Sequence, residues 1–492
     1  MSDVCLILEG TYPYVTGGVS SVVHDTIVRT PQISYSILYI GAKKSENNVL
    51  KYKLPANVRF IKEVFLYDYD IKGEVNDFQF PVDIVEKFHH ELRQEDKYSS
   101  FVNIFKLLFD NELVDPFSVF DSDLAWKFIE DNYNKKFSTA YEKPSFLDYF
   151  YQWRFTHYPI FKALSAEIPR ASAYHCLSTG YAGLVGVAAK LKTGKPLILT
   201  EHGIYAHERE IEILLSDWIQ DRDSELVPIG DLGFFKNWWV NIFHFMSKVT
   251  YYFSDTITTL HKKNFDKQVT YGADPSKIEI LPNGIDFSHF ENIVIEKSES
   301  KKVIGFIGRV VPIKDIKTLL KAISATYRSL RNIEVLIMGP YEEDPDYYKE
   351  CLQMVKIFEL ESVIQFTGKV NIKDYLGKID VIVLTSISEG QPMVLLECFS
   401  CGVPAVVTDV GSCHEMIHGL EGRDDHLGKC GEVVPFGKPD LFAEGLLKIL
   451  TNDELHKQYS EVAKVRARDF YGINTTIGGY VDLYTKYINK SL

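Results

Sequence analysis

The chain has 492 residues, of which 46% are hydrophobic and 25% charged, and it carries a formal net charge of −13. That length exceeds what one hydrophobic core sustains, since single cores stop growing at roughly 250–300 residues, so two large lobes are expected. Lys and Arg are scattered rather than clustered, which excludes nucleic acid as the main partner, because phosphate neutralisation dominates that kind of binding.

The seven cysteines, an odd number, sit in apolar segments such as those around Cys5, Cys176 and Cys351, the pattern of a reducing compartment. The start, Met1-Ser2-Asp3-Val4-Cys5, lacks a basic segment followed by a cleavage site, and the apolar run 182–189 falls far short of the roughly 18 residues that cross a membrane. A cytosolic protein is the expectation. Cys398 and Cys401, followed by Cys413-His414 and Cys430, lie in an apolar helical stretch and match no compact zinc module, so they read as buried thiols and no metal is expected.

In chain order, residues 4–8 form a buried-type strand, 9–18 a loop, 19–29 a helix and 34–40 a second strand. Strand, glycine loop and helix in that order open a Rossmann-like lobe. An aromatic-rich helical insertion follows at about 75–170, densest at 146–161 (FLDYFYQWRFTHYPIF), and reads as a packed subdomain. The alternation resumes with strands at 173–177, 197–200 and 256–260 and a helix at 181–191, then 278–281 runs into Pro282-Asn283-Gly284. Residues 291–301 read as a linker. A second α/β series takes over, with strands at 303–307, 334–338, 363–366, 381–384 and 405–408, helices at 316–330, 346–358 and 393–401, and closing helical segments at 441–467 and 477–488.

Three motifs fall at the carboxyl ends of strands, where α/β sheets bind ligands. Gly17-Gly18-Val19 joins the first loop to its helix; the glycines admit a ligand close to the backbone and the helix N-terminus offers free N–H groups to an anion. Gly308-Arg309 follows the first strand of the second series, with Lys314 on the same loop, and a guanidinium plus an ammonium suit a diphosphate. The sharpest motif is 388–397, SEGQPMVLLE. Pro392 suits a first helical turn, so from Gly390 onward the backbone N–H groups of Gln391, Met393 and Val394 are expected to face an anion or hydroxyl. Glu389 before the helix and Glu397 within it are spaced to grip different hydroxyls of one ligand. His202, at the end of a strand and before Gly203, is well placed for a site, although a hydrogen-bonded structural histidine fits it nearly as well.

Taken together, Gly-Gly-Val near the start, Arg309 with Lys314, LPNGID at 281–286 and the Glu-x7-Glu of Glu389 and Glu397 resemble the GT-B family 4 glycosyltransferases. The opening 6–25, LILEGTYPYVTGGVSSVVHD, with the aromatic insertion, is similar more narrowly to the PelF group, the cytosolic glycosyltransferases of Pel exopolysaccharide synthesis. The resemblance implies two Rossmann-like lobes with a central cleft: 1–290 on the acceptor side, 300–465 binding the nucleotide-sugar donor, and a helical segment at 466–492 packing back on the first lobe. It implies that Arg309 and Lys314 neutralise the donor diphosphate, that Glu389 meets the donor sugar and Glu397 the ribose, that Gly17 and Gly18 lie against the phosphates, and that His202 stands near the reacting sugar. It further implies retention at the anomeric carbon, UDP-glucose as donor, a saccharide acceptor, membrane-embedded Pel synthesis proteins as partners at the inner membrane, and no cofactor. Competing readings are a metal-dependent transferase using an Asp-x-Asp pair (68–70, 121–123 or 221–223), a non-catalytic nucleotide-sugar-binding scaffold, and sugar-nucleotide epimerisation or hydrolysis on a similar fold.

Overall fold

The computed structural model describes residues 1–44, 49–68, 98, 101–103, 105, 123–139, 143–216, 219, 233–296, 298 and 300–489. Much of the aromatic insertion, and all or most of each Asp-x-Asp triplet, lies outside the described residues. The chain forms two compact units: Met1–Thr259 with Phe265–Glu279 and Tyr480–Leu492, and Leu260–Asn264 with Ile280–Gly479. The part of the chain after 465 is thus shared, 466–479 with the second unit and the rest with the first.

The first unit is built on a seven-stranded sheet: β1 Ser2–Glu9, β2 Tyr35–Gly41, β3 Val58–Phe65, β4 Ala171–Cys176, β5 Leu197–Glu201, β6 Thr256–Thr259 and β7 Ile278–Ile280, in the order β3-β2-β1-β4-β5-β6-β7. β1 pairs in parallel with both β2 and β4, Val4 standing opposite Tyr35 on one side and Ala173 on the other. Both faces of β1 are covered, which is why it reads as a continuous apolar run rather than an alternation. β3 escapes that pattern: an edge strand with Arg59, Phe60 and Glu63 exposed, it mixes charges among its apolar residues and shows no continuous apolar run. The apolar run 182–189 is the buried core of the helix Tyr181–Thr193, which ends in Gly194 at φ +67 with its N–H on the Lys190 carbonyl. Described parts of the insertion supply the helices Asp123–Lys136 and Phe146–Leu164, whose Tyr149, Trp153 and Phe161 join the core of this unit. The last helix, Ile473–Ile488, seats Tyr484 against His175 (O–Nδ1 2.8 Å) and Tyr487 against Thr256 (2.5 Å) in the same unit.

The second unit repeats the pattern with six strands: β8 Lys302–Ile307, β9 Ile333–Met338, β10 Ile364–Gly368, β11 Val381–Leu384, β12 Ala405–Thr408 and β13 Gly431–Val434, in the order β10-β9-β8-β11-β12-β13. All adjacent pairs are parallel. The stretch expected as one helix at 441–467 is two, Pro439–Leu450 and Asp453–Phe470, because Asn452 caps the second by accepting the Leu455 N–H at 3.0 Å. Inside this unit Arg466 is fully buried and gives its Nε to Asp424 at 2.7 Å, with its remaining donors on the Ile417, Asp424 and Gly428 carbonyls. The seven cysteines are free thiols, all buried. Among the described residues no helix is long and apolar enough to cross a membrane.

Candidate functional site

In each sheet the strand order reverses beside the first strand of its unit, at β1/β4 and at β8/β11, and open α/β sheets bind ligands at the carboxyl ends of the strands flanking that point. At the second of these points β8 leads through Gly308 and Arg309 into the short turn Pro312–Lys314, while β11 leads through Thr385 and Ser386 to Glu389. The two loops are tied by Thr385 Oγ1 donating to the Lys314 carbonyl at 3.0 Å and by the Ile387 N–H on the Ile313 carbonyl at 2.8 Å. That brings Lys314 Nζ to 2.5 Å from Glu389 Oε1, and Ser386 Oγ donates to the same oxygen at 2.6 Å. The two charged side chains are only 19% and 11% exposed, so their attraction is poorly screened. Arg309 takes a different partner, Glu343, at 2.5 Å and about half exposed.

The loop carrying Glu389 is fixed from behind. Gln391 uses its carboxamide like a peptide group, accepting the Asn283 N–H at 2.8 Å and donating to the Asn283 carbonyl at 2.9 Å. Its side chain therefore pins the 281–286 segment. Gly390 lends its carbonyl to the Ser412 N–H at 2.9 Å, and Gly411, at φ +51, lies so close that a Cβ there would stand 2.1 Å from the Glu389 carbonyl oxygen. Pro392 occupies the cap position ahead of the helix Met393–Ser400 instead of its first turn, its carbonyl accepting the Leu395 N–H at 3.0 Å. Met393 and Val394 open that helix half-buried against the adjoining apolar cluster. One turn further on, burial pushes the Glu397 carboxyl up to about 7, with Lys373 pulling in the opposite direction.

Three of the expected residues belong to the first unit. Gly17 precedes the helix Gly18–Arg29, and a Cβ on either Gly17 or Gly18 would meet no atom within 4 Å, so packing does not demand glycine at these two positions. His202 follows β5, buried, and its imidazole is pushed down to about 4 by that burial. The structure thus gathers Lys314, Glu389, Gly390 and Gln391 at one loop cluster, directs Arg309 to Glu343, and carries Gly17, Gly18 and His202 on the other unit.

Several residues with polar networks at strand ends escaped the motif reading. Glu201 is buried among neutral donors, receiving Thr179 Oγ1 (3.1 Å), Tyr251 OH (2.6 Å), Gln268 Nε2 (2.9 Å) and the Tyr205 N–H (3.2 Å). Glu9 ends β1 and receives the Ala182 N–H at 3.1 Å and Tyr205 OH at 3.0 Å. In the second unit His261, buried beside the Gly390 backbone, is pushed down to about 4 by desolvation. Glu9 and Glu201 terminate apolar strands, a detectable signal; Gly411 and His261 are marked only by contacts distant in sequence.

The family described as "Domain of unknown function (DUF3492)" matches residues 2–276, and "Glycosyl transferases group 1" matches residues 289–466. The N-acetyl-alpha-D-glucosaminyl L-malate synthase of Bacillus anthracis is 26% identical over 188 residues, 38% of this chain and 46% of that protein. The N-acetylgalactosamine-N,N'-diacetylbacillosaminyl-diphospho-undecaprenol 4-alpha-N-acetylgalactosaminyltransferase of Campylobacter jejuni is 28% identical over 46% of this chain and 59% of its own length. The chain thus spans about half the length of these two curated relatives. Among solved structures, sucrose-phosphate synthase from Thermosynechococcus elongatus superposes with a TM-score of 0.62 at 13% identity, covering 99% of this chain and 100% of that one. Anabaena HepE in complex with UDP and glucose superposes with a TM-score of 0.58 at 12% identity, over 99% and 100% of the two chains. These likenesses show the GT-B type of fold.

Proposed function

We propose, for a chain that belongs to the DUF3492 family and carries a group 1 glycosyltransferase region at 289–466, that it transfers a hexosyl unit from a UDP-sugar to a saccharide acceptor with retention at the anomeric carbon. The observation that carries this reading is the Lys314–Glu389 pair at the β8/β11 switch point. A short, largely buried cation–carboxylate pair is a ready diphosphate and sugar-hydroxyl site: Lys314 meets the phosphate, and Glu389 turns to the hydroxyls of the hexosyl ring. Arg309 exchanges its exposed partner Glu343 for the diphosphate, a modest loss because exposed pairs contribute only about 0–1 kcal/mol. Glu397, holding its proton up to about pH 7, meets the ribose hydroxyls, and Gly17 and Gly18 leave room for the phosphates at their helix N-terminus. His202 stands by the reacting sugar, and its low basicity suits a neutral hydrogen-bonding role.

With Glu389 and Glu397 both assigned to hydroxyls in this reading, the acceptor enters on the face the diphosphate leaves, and the departing phosphate oxygen takes its proton. The chain's own contribution is to stabilise the negative charge that grows on the diphosphate. The donor is UDP-glucose and the acceptor a growing exopolysaccharide of the Pel type, made in the cytoplasm with membrane-embedded Pel proteins as partners; the PelF-like opening at 6–25 supports this finer assignment. No metal or cofactor takes part, and EDTA leaves turnover unchanged. A panel of nucleotide sugars screened by thermal shift picks out the donor, and proton NMR of the product then reads the anomeric configuration. UDP-glucose stabilisation and an α-glucoside product are expected; an inverted product refutes retention.

A further inference from the structure

At the switch point of the first sheet lies a cavity of about 370 Å³ formed wholly by the first unit. Its floor is the end of β1, with Glu9 and Gly10; Ile40, Gly41 and Ala42 follow β2, and Leu66 and Tyr67 follow β3. Tyr181, Tyr205, Trp239 and Phe243 supply aromatic walls, and Arg209 and Glu212 stand at one side. This is the size and the lining of a small-molecule site: mostly apolar and aromatic, with a few convergent polar groups.

The polar groups are arranged to read hydroxyls. Glu9 is held rigid by the Ala182 N–H and Tyr205 OH, and the site has no slack around it, since a Cβ at Gly180 would stand 2.4 Å from the Tyr205 ring and 2.7 Å from Glu9 Oε2. The indole N–H of Trp239 is spent on Gln152 Oε1 at 2.8 Å, so the ring contributes its apolar surface. Arg209, the cation among the described lining residues, lies over the Tyr205 ring and gives Nη2 to Glu212 at 2.7 Å. Its charge is matched by Glu212 if Glu9 keeps its proton, and outnumbered if Glu9 loses it. In neither state do the described lining residues present net positive charge to a ligand.

On the reading of the first unit as the acceptor side, we propose that this cavity binds the glycosyl end of the acceptor and selects a neutral, hydroxyl-rich pyranose over a phosphorylated or acidic one. The aromatic walls stack on the apolar C–H face of the ring, Glu9 accepts from its hydroxyls, and the balanced charge leaves a phosphate without compensation.

Saturation-transfer NMR on the full chain tests this with methyl β-D-glucoside and glucose 6-phosphate as probes. The glucoside is expected to receive saturation and the phosphate to bind at least about tenfold more weakly, because its charge would be desolvated without compensation. Ala42→Trp, at an exposed position on the cavity wall, abolishes the glucoside signal by filling the space. Glu212→Arg, at a site already 57% exposed and so tolerant of change, narrows the preference by making the rim positive. Equal or tighter binding of glucose 6-phosphate by the natural chain, a glucoside signal that survives Ala42→Trp, or no glucoside signal at all overturns the proposal. Failure of the transferase reading would look different: no UDP release from any nucleotide sugar by a protein that still binds the glucoside here.

Discussion

The two units share one strand order yet fill the same position in it with opposite chemistry. Beyond β8 and β11 stand charges matched by charges, Lys314 with Glu389 and Arg309 with Glu343. At the ends of β1 and β5 stand carboxyls held mainly by neutral donors, Glu9 by a tyrosine and a backbone N–H and Glu201 by a threonine, two tyrosine-borne groups and a glutamine, and burial raises both above the ordinary carboxyl value. On the proposed function, the backbone fixes where a ligand goes, and the side chains decide whether it is a diphosphate or a sugar.

The sharpest way to break that contrast is to remove one partner of a buried group in each unit. Arg466→Ala leaves the buried Asp424 carboxylate with Arg423 alone and unpairs the Ile417 and Gly428 carbonyls, and should cost about 3–5 kcal/mol in chemical denaturation. Glu201→Gln keeps the shape and disturbs only neutral hydrogen bonds, so it should cost about 1–3 kcal/mol. Equal losses would mean that both units balance their buried charge in the same way.

Glu397 departs from this pattern, a half-buried carboxyl whose charge is supported, among the described residues, by the field of Lys373. Between its ordinary value of 4.5 and about 7 the folded protein keeps a proton that the unfolded chain has released. Stability from this group is thus complete below the lower value and falls as pH rises through the window, by at most about 3 kcal/mol. Glu397→Gln should flatten that slope in unfolding curves taken from pH 4 to pH 8; an unchanged slope would remove Glu397 as its source.

A smaller effect is expected at Gly411, where φ +51 and the contact with the Glu389 carbonyl both exclude a side chain. Gly411→Ala should cost about 1–3 kcal/mol and, by shifting the Glu389 loop, weaken UDP-sugar binding measured by calorimetry. Normal affinity in the folded variant would show that the loop position does not govern the donor site.

Much of the fold was legible because most strands of both sheets are buried on two faces and so read as apolar runs: β1, β2, β8, β9 and β12 appear within a residue or two of their expected bounds. The edge strand β3, half solvated and charged, was not legible, nor was the four-residue β13. The helices Tyr205–Leu215 and Phe234–Phe253 went unread although the second is strongly apolar. Of the site, Lys314 and Glu389 were visible as charges placed just beyond apolar strands. Gly411, His261 and the Glu9 network were not, because what defines them is contact between segments far apart in the chain. Gln391 shows the converse: its place in the motif was plain, but its pairing with Asn283 could be seen only in three dimensions.

The central claim is that the cations beyond β8 hold a departing diphosphate, and the most direct measurement is UDP release from UDP-glucose by the Arg309→Ala/Lys314→Ala double variant. Loss of one such transition-state contact typically lowers turnover by about 10²–10³-fold, so the pair should fall by at least that much with the melting transition of the fold retained. Release at the rate of the natural chain would contradict the assignment.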